Sequence, residues 1–212
     1  MTHSRAPSRA AVLMLATLLS ACASGGSVRY YTLVSPMQGA TLPSPPPASA
    51  PARVLAVEVL PVRVPATVDV QTLVVRQGNG ALAHLEAARW SGPLPDELRS
   101  AVSTQLQARL GARDVYGLPS PSSPPATPVP RVRIVLQRLD AWPSNRIDLE
   151  AQWRIESGDA GVQCATRISQ PIAATGAEAI VDGYQRAIAT LATQMAPAVV
   201  ALANAQPARC PG

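Results

Sequence analysis

The chain has 212 residues, of which 47 % are hydrophobic and 15 % are charged, so it can bury a core and differs from a disordered chain. Its length fits one domain with at most a small appendage. All 18 basic residues are arginines, set against 13 acidic residues, and they are scattered singly along the chain. With aromatic residues at only 3 %, this pattern disfavours a nucleic-acid-binding protein.

The N-terminal residues have the composition of a secretory signal peptide. His3, Arg5 and Arg9 form a basic head without acidic residues, and residues 10–19 form an apolar run. Ten apolar residues are too few for a helix that crosses a bilayer, which needs about 20. The pattern therefore predicts a signal peptide over residues 1–21.

The end of this segment, residues 19–22 (LSAC), resembles the bacterial lipobox. The resemblance implies that Cys22 becomes the first residue of the mature chain and carries acyl chains that bind it to a membrane. The alternative is an ordinary signal peptide that happens to contain a cysteine. Ala23 and Ser24 follow Cys22 where inner-membrane lipoproteins tend to have an aspartate, which implies sorting to the outer membrane. We expect residues 22–28 to be a flexible tether.

The first predicted strands are short. They cover residues 29–34, 54–60, 72–76 and 81–85. A proline-rich loop at residues 36–52 separates the first two strands. Residues 78–80 (GNG) lie between the last two and predict a hairpin.

Residues 93–110 are predicted to form an amphipathic helix. Its apolar stripe consists of Leu94, Leu98, Ala101, Val102, Leu106 and Leu110. Gly111 is expected to end the helix. A second Pro/Ser-rich loop follows at residues 119–130.

Apolar and polar residues alternate along the next three segments, which predict an antiparallel meander with one solvent-exposed face. The segments are residues 131–136, 146–156 and 162–168. A capping-box pattern, residues 175–178 (TGAE), predicts the start of a final helix that Pro197 kinks or ends near Ala196. Residues 29–212 are therefore predicted to form one α+β domain, a two-layer sandwich with a mostly antiparallel sheet and two main helices.

Residues that could support catalysis or metal binding are sparse. His84 is the only histidine after the predicted signal peptide, and no ligands at metal-site spacing accompany it. Asp148 and Glu150 share one strand face, but as part of an alternating polar row. No nucleophile elbow or phosphate-binding loop is present. The sequence therefore predicts no catalytic site, no metal site and no cofactor.

Two cysteines remain once Cys22 is set aside. Because an exported protein meets an oxidising compartment, Cys164 and Cys210 are predicted to form a disulfide that joins the C-terminal tail to the meander. The alternative is a free, buried Cys164, since this residue lies on the apolar face of its strand.

Several motifs together resemble the ABC-type transport auxiliary lipoproteins, the PqiC/YmbA-like family. They are the lipobox, residues 29–33 (RYYTL), 57–61 (VEVLP), 73–76 (LVVR) and 89–94 (RWSGPL), and Tyr184 in the last helix. The resemblance implies a non-enzymatic outer-membrane lipoprotein, expected to be a homo-oligomer. It also implies that this lipoprotein docks an MCE-domain protein, which acts with an ABC-type permease in lipid transport between two membranes. The two proline-rich loops depart from the family pattern.

Two questions stay open at this level. Arg89 and Trp90 either pack beneath the helix that follows them or lie at an interface with a partner, where Trp and Arg are favoured. The function itself has an alternative, in which the lipoprotein binds a lipid or lipopolysaccharide in a groove between sheet and helices. An envelope hydrolase is a third hypothesis, which no motif supports.

Overall fold

The computed structural model describes residues 27–35, 55–119 and 128–211. The predicted signal peptide, Cys22, and most of the two proline-rich loops lie outside these residues.

The described residues contain eight strands and two α-helices. The strands are β1 (Arg29–Tyr31), β2 (Ala56–Val59), β3 (Thr72–Arg76), β4 (Leu82–Trp90), β5 (Arg113–Asp114), β6 (Arg131–Trp142), β7 (Arg146–Ser157) and β8 (Ala160–Pro171). The helices are α1 (Leu94–Leu110) and α2 (Gly176–Ala203). A 3₁₀ turn, Gly78–Gly80, joins β3 to β4, which pair antiparallel as the predicted hairpin.

The strands form two sheets, and both are mixed but largely antiparallel. The smaller sheet has the order β1-β4-β3, with β1 parallel to β4. The larger has the order β5-β2-β6-β7-β8, in which β6, β7 and β8 form the antiparallel meander and β2 runs parallel to both of its neighbours. With both helices packed against the sheets, the predicted α+β class is confirmed.

The meander has one buried and one solvent-exposed face, as its alternation predicts. The inward side chains of β7 are all buried: Ile147, Leu149, Ala151, Trp153 and Ile155. Helix α2 covers this face along β7 and β8. A Cβ atom at Gly183 would lie 2.6 Å from Cγ2 of Ile172 and 2.8 Å from Cγ1 of Ile147, so only glycine allows α2 to approach the sheet this closely.

Helix α1 matches its prediction closely. Its apolar stripe is buried apart from Leu110, which is half-buried. The helix ends at Gly111, whose φ of 59° is left-handed and therefore favours glycine. Because α1 packs along α2 and contacts β2 and β5, it extends the helical layer over the edge of the larger sheet.

The structure excludes one of the two alternatives predicted for Pro197, which were a kink and a helix end, and it contradicts the predicted capping box. The helix does not end near Ala196 but continues through Pro197 to Ala203. Proline removes one backbone hydrogen bond, but the residues beyond it are held by burial of Ala198, Val199 and Leu202. The predicted capping box is not formed either, since Thr175 makes no side-chain cap.

Helix α2 is long and apolar enough to cross a bilayer by length and composition, with a mean hydropathy of 1.3 over its most apolar window. No other helix in the described ranges meets these criteria. Half of that window is buried against the rest of the fold, as expected for the core helix of a globular domain.

Candidate functional site

The chain enters the fold beside the first turn of α2. Nη1 of Arg29 lies 2.7 Å from Oε1 of Glu178, so the glutamate predicted to cap α2 instead binds β1. Ser27, Arg29 and the start of α2 line an open groove of about 490 Å³ together with part of β4. This groove marks the end of the molecule that faces the predicted tether.

His84 lies in the same groove, on β4. Its Nδ1 is 2.8 Å from Oγ1 of Thr72 on the neighbouring strand, and its side chain is exposed. The described residues contain no group of three or more His, Cys, Asp or Glu side chains that could hold a metal ion. His84 is therefore positioned as a surface strand residue by its hydrogen bond to Thr72.

Glu97, in the first turn of α1, holds three separate segments together. Its carboxylate accepts hydrogen bonds from Oγ1 of Thr32 at 2.7 Å, from the backbone N–H of Leu33 at 2.9 Å and from Oγ of Ser91 at 2.6 Å. The motif at residues 89–94 therefore has a structural role, because its serine connects the end of β4 to α1 and to the segment after β1. The sequence places Glu97 in the first turn of α1, but no local pattern could indicate its bond to Thr32, because the two residues are 65 positions apart.

Trp90, at the end of β4, is a packing residue in the described structure. Its side chain is only 3 % exposed, and its ring centroid lies 5.9 Å from that of Tyr184 on α2. Arg89 beside it is half-buried, and its Nε has no hydrogen-bond partner among the described residues. A partner interface at these two residues stays a prediction.

A buried carboxylate, Asp140, lies near Tyr184. It is neutralised by Arg76, whose Nε lies 2.9 Å from Oδ1, and by Arg138 at 3.6 Å. Burial raises the pKa of Tyr184 well above its ordinary value, and the negative charge of Asp140 adds to this effect. The phenol therefore stays protonated at neutral pH and cannot act there as a base.

The two acidic residues that share a face of β7 are both engaged. Asp148 accepts hydrogen bonds from Nε1 of Trp142 at 3.1 Å and from Nε of Arg146 at 2.9 Å. Glu150 lies between Arg138 and Arg167, at 3.4 and 3.1 Å. Both carboxylates are therefore occupied by partners within the sheet.

Cys164 and Cys210 form a disulfide in the structure, with their Cα atoms 5.5 Å apart. The bond holds the C-terminal tail, which follows α2, against β8. A buried polar chain crosses the same region: Nε1 of Trp153 donates to Thr166, whose hydroxyl donates in turn to Oε1 of Gln194 on α2. The tail, the sheet and α2 are thus joined at one end of the meander.

Comparison with known proteins identifies the family of this arrangement. The family model described as ABC-type transport auxiliary lipoprotein component matches residues 31–196. The chain belongs to this family. It is therefore an auxiliary lipoprotein component of ABC-type transport systems, and membership implies a membrane lipid anchor and association with such a system.

Solved structures share the fold at low sequence identity. The crystal structure of an uncharacterized protein has a TM-score of 0.61 at 14 % identity and covers 80 % of this chain and 97 % of that chain. Protein XCC0632 from Xanthomonas campestris, of the DUF330 family, has a TM-score of 0.53 at 15 % identity and covers 69 % of this chain and 85 % of that chain. No curated protein matches the sequence.

Replacement of Trp90 separates packing from partner binding. Because the side chain is buried against Tyr184, Trp90→Ala is expected to lower the free energy of unfolding by about 3 kcal/mol or more in urea titrations. The matched control is Tyr30→Ala, an exposed aromatic on β1, which should change stability by less than about 0.5 kcal/mol. A Trp90→Ala protein of unchanged stability that no longer binds its partner would support the interface instead.

The disulfide is expected to contribute strongly to stability. It closes a loop with a sequence separation of 46, for which the chain-entropy model gives about 4 kcal/mol. The double variant Cys164→Ala/Cys210→Ala should lose about that much free energy of unfolding. Thiol titration of the denatured, unreduced wild type checks the bond directly, and two free thiols would contradict it.

Proposed function

We propose that this protein is a non-enzymatic accessory lipoprotein of the outer membrane, anchored through Cys22 and facing the periplasm. There it docks the MCE-domain protein of an ABC-type intermembrane lipid transport system, and it acts as a homo-oligomer. The observation that carries the proposal is the lipobox-like LSAC at residues 19–22, followed closely by a domain of the transport auxiliary lipoprotein family.

The short chain between Cys22 and the first strand would keep the domain close to the membrane. One acyl chain holds a protein at a membrane only reversibly, whereas two or three chains hold it stably. The seven residues from Cys22 to Arg29 span at most about 25 Å when extended. The domain would therefore lie next to the lipid leaflet, where it can serve as an attachment point for a larger assembly.

A non-enzymatic role fits the state of the candidate residues. His84 is bound to Thr72, Asp148 and Glu150 are paired with cations, and Tyr184 is buried and protonated. Asp148, Glu150 and Tyr184 are thus engaged or buried, and exposed His84 has no second acid or base beside it among the hydrogen bonds of the described residues.

The lipid-binding alternative has less support from the packing. The seam between α2 and the meander is filled by side chains such as Ile147, Ile188 and Met195, all of which are fully buried. At Gly183 the gap is too narrow even for a methyl group. An acyl chain could enter between sheet and helix here only by separating α2 from the core.

Two variants test the anchor and its membrane. Cys22→Ala should abolish incorporation of radiolabelled palmitate and release the protein from the envelope fraction, because no acyl chain is attached. Ala23→Asp keeps the cysteine and should still incorporate palmitate, but should move the protein to the inner-membrane fraction on a sucrose gradient. If Cys22→Ala protein still fractionates with envelopes, the proposed anchor is wrong.

Partner capture tests the docking role. The full-length lipidated protein, tagged at its C-terminus and crosslinked in cells, is expected to enrich an MCE-domain protein identified by mass spectrometry. An unrelated outer-membrane lipoprotein carrying the same tag is the control. Recovery of bound lipid without any MCE-domain protein would contradict docking and favour the lipid-binding alternative.

A further inference from the structure

The solvent-exposed face of the meander carries two arginines directly opposite each other. Arg133 of β6 is in register with Arg154 of β7, and paired residues of neighbouring strands place their side chains on the same face. Both residues are exposed. Like charges in this position destabilise a sheet, so the pair breaks a rule that stable sheets normally follow.

The other like-charged pair on this face differs, because both of its members form ion pairs. Asp140 is in register with Asp148, but each carboxylate is neutralised by an arginine of its own: Arg76 at 2.9 Å from Asp140, and Arg146 at 2.9 Å from Asp148. The fold thus compensates for adjacent like charges where their role is structural.

The arginine pair is compensated only in part. Arg154 lies 2.7 Å from Glu156, whereas Arg133 forms no ion pair with any residue that the structure describes. Arg131 lies two residues before Arg133 on the same face of β6. Its Nε forms an ion pair with Oε2 of Glu58 at 2.6 Å. This end of the face therefore has positive charge in excess.

A shallow groove of about 380 Å³ lies over the pair. The residues that line it are Arg133, Val135, Gln152, Trp153, Arg154, Glu156 and Gln163. Two guanidinium groups with two side-chain amides beside them form an array of hydrogen-bond donors, and guanidinium matches the geometry of carboxylate in two-point hydrogen bonding. The groove fits an anionic group that approaches from solvent.

Its position in the fold favours a protein ligand over the membrane to which the chain is tethered. The chain enters the fold where Arg29 contacts Glu178, in the first turn of α2. Because α2 begins only five residues after β8 ends at Pro171, this end of β8 lies close to the point of entry. Pro171 is opposite Arg146, while Gln163 is opposite Arg154, eight residues away along β8. At about 3.3 Å per residue, the groove lies roughly 26 Å from that end of the sheet.

We propose that this groove binds a carboxylate-rich segment of the periplasmic protein that the lipoprotein docks. The inference deepens the proposed function and rests on its assignment of the anchored end of the domain. The guanidinium of Arg133 pairs with a carboxylate of the partner, and that of Arg154 supports the same segment while remaining close to Glu156. Binding relieves the repulsion that the free sheet tolerates.

The test uses the full-length lipidated protein in non-ionic detergent and a fluorescent octaglutamate peptide as the probe, read by anisotropy. Arg133→Glu/Arg154→Glu should weaken peptide binding roughly tenfold or more, and raised salt should weaken binding to the wild type. The matched control is Arg109→Glu/Arg186→Glu, which reverses two exposed arginines of the helical layer and should leave binding unchanged. The reversed groove should instead bind octalysine.

A single substitution separates binding from folding. Arg133→Glu replaces a like-charged cross-strand pair with an opposite-charged one, so the midpoint of thermal unfolding should rise while octaglutamate binding falls. A general loss of structure would lower both. Equal peptide binding by wild type and groove variant would overturn the proposal. So would groove-dependent binding of phosphatidylglycerol vesicles without any binding of the peptide.

The same variants distinguish this inference from the proposed function. If the groove variant still captures the MCE-domain protein as the wild type does, the docking surface is elsewhere and the inference fails, while the proposed function stands. If the wild type captures no MCE-domain protein, the proposed function fails, and octaglutamate binding alone decides whether the groove recognises carboxylates.

Discussion

The packing of α2 on the meander is the contact on which the rest of the molecule depends. Gly183 lets the helix approach until Ile147 and Ile172 fill the space between the two layers, and this dry seam commits one face of the sheet to the core. The opposite face is then left to solvent, with its charged side chains in fixed register. In the described part of the chain, the seam between α2 and the meander is filled by buried side chains, so the charged outer face is the surface of the meander that a partner can reach.

Local sequence patterns predicted the meander, α1 and the hairpin because each of these elements depends on neighbouring residues. Pairings between distant segments were missed for the same reason. β5 has two residues, too few for a pattern, and it forms because Arg113 and Asp114 lie beside β2. The parallel pairing of β1 with β4 and the contact of Arg29 with Glu178 join segments over 50 residues apart. The helix continued through Pro197 because burial outweighed one lost hydrogen bond.

The sequence motifs indicated the family of the protein better than they indicated its candidate site. The segment at residues 89–94 identified the family resemblance, yet its contacts are internal: Trp90 against Tyr184, and Ser91 with Glu97. Arg133 and Arg154 carried no sequence signal, since their meaning depends on the register between β6 and β7. Each arginine alone is an ordinary polar residue of an alternating strand. The two positive charges become neighbours only because β6 and β7 pair in this register, which leaves an excess of positive charge at this position.

The disulfide has a consequence for the stage at which the domain matures. β8 is the last strand of its sheet, and in the described part of the chain it pairs only with β7, so its outer edge can accept another strand. Cys210 fastens the C-terminal tail to that strand, but only under oxidising conditions. Under reducing conditions this covalent attachment of the tail to β8 is absent. For a chain exported as proposed, the bond therefore forms only after the chain has left the cytosol, as a step in its maturation.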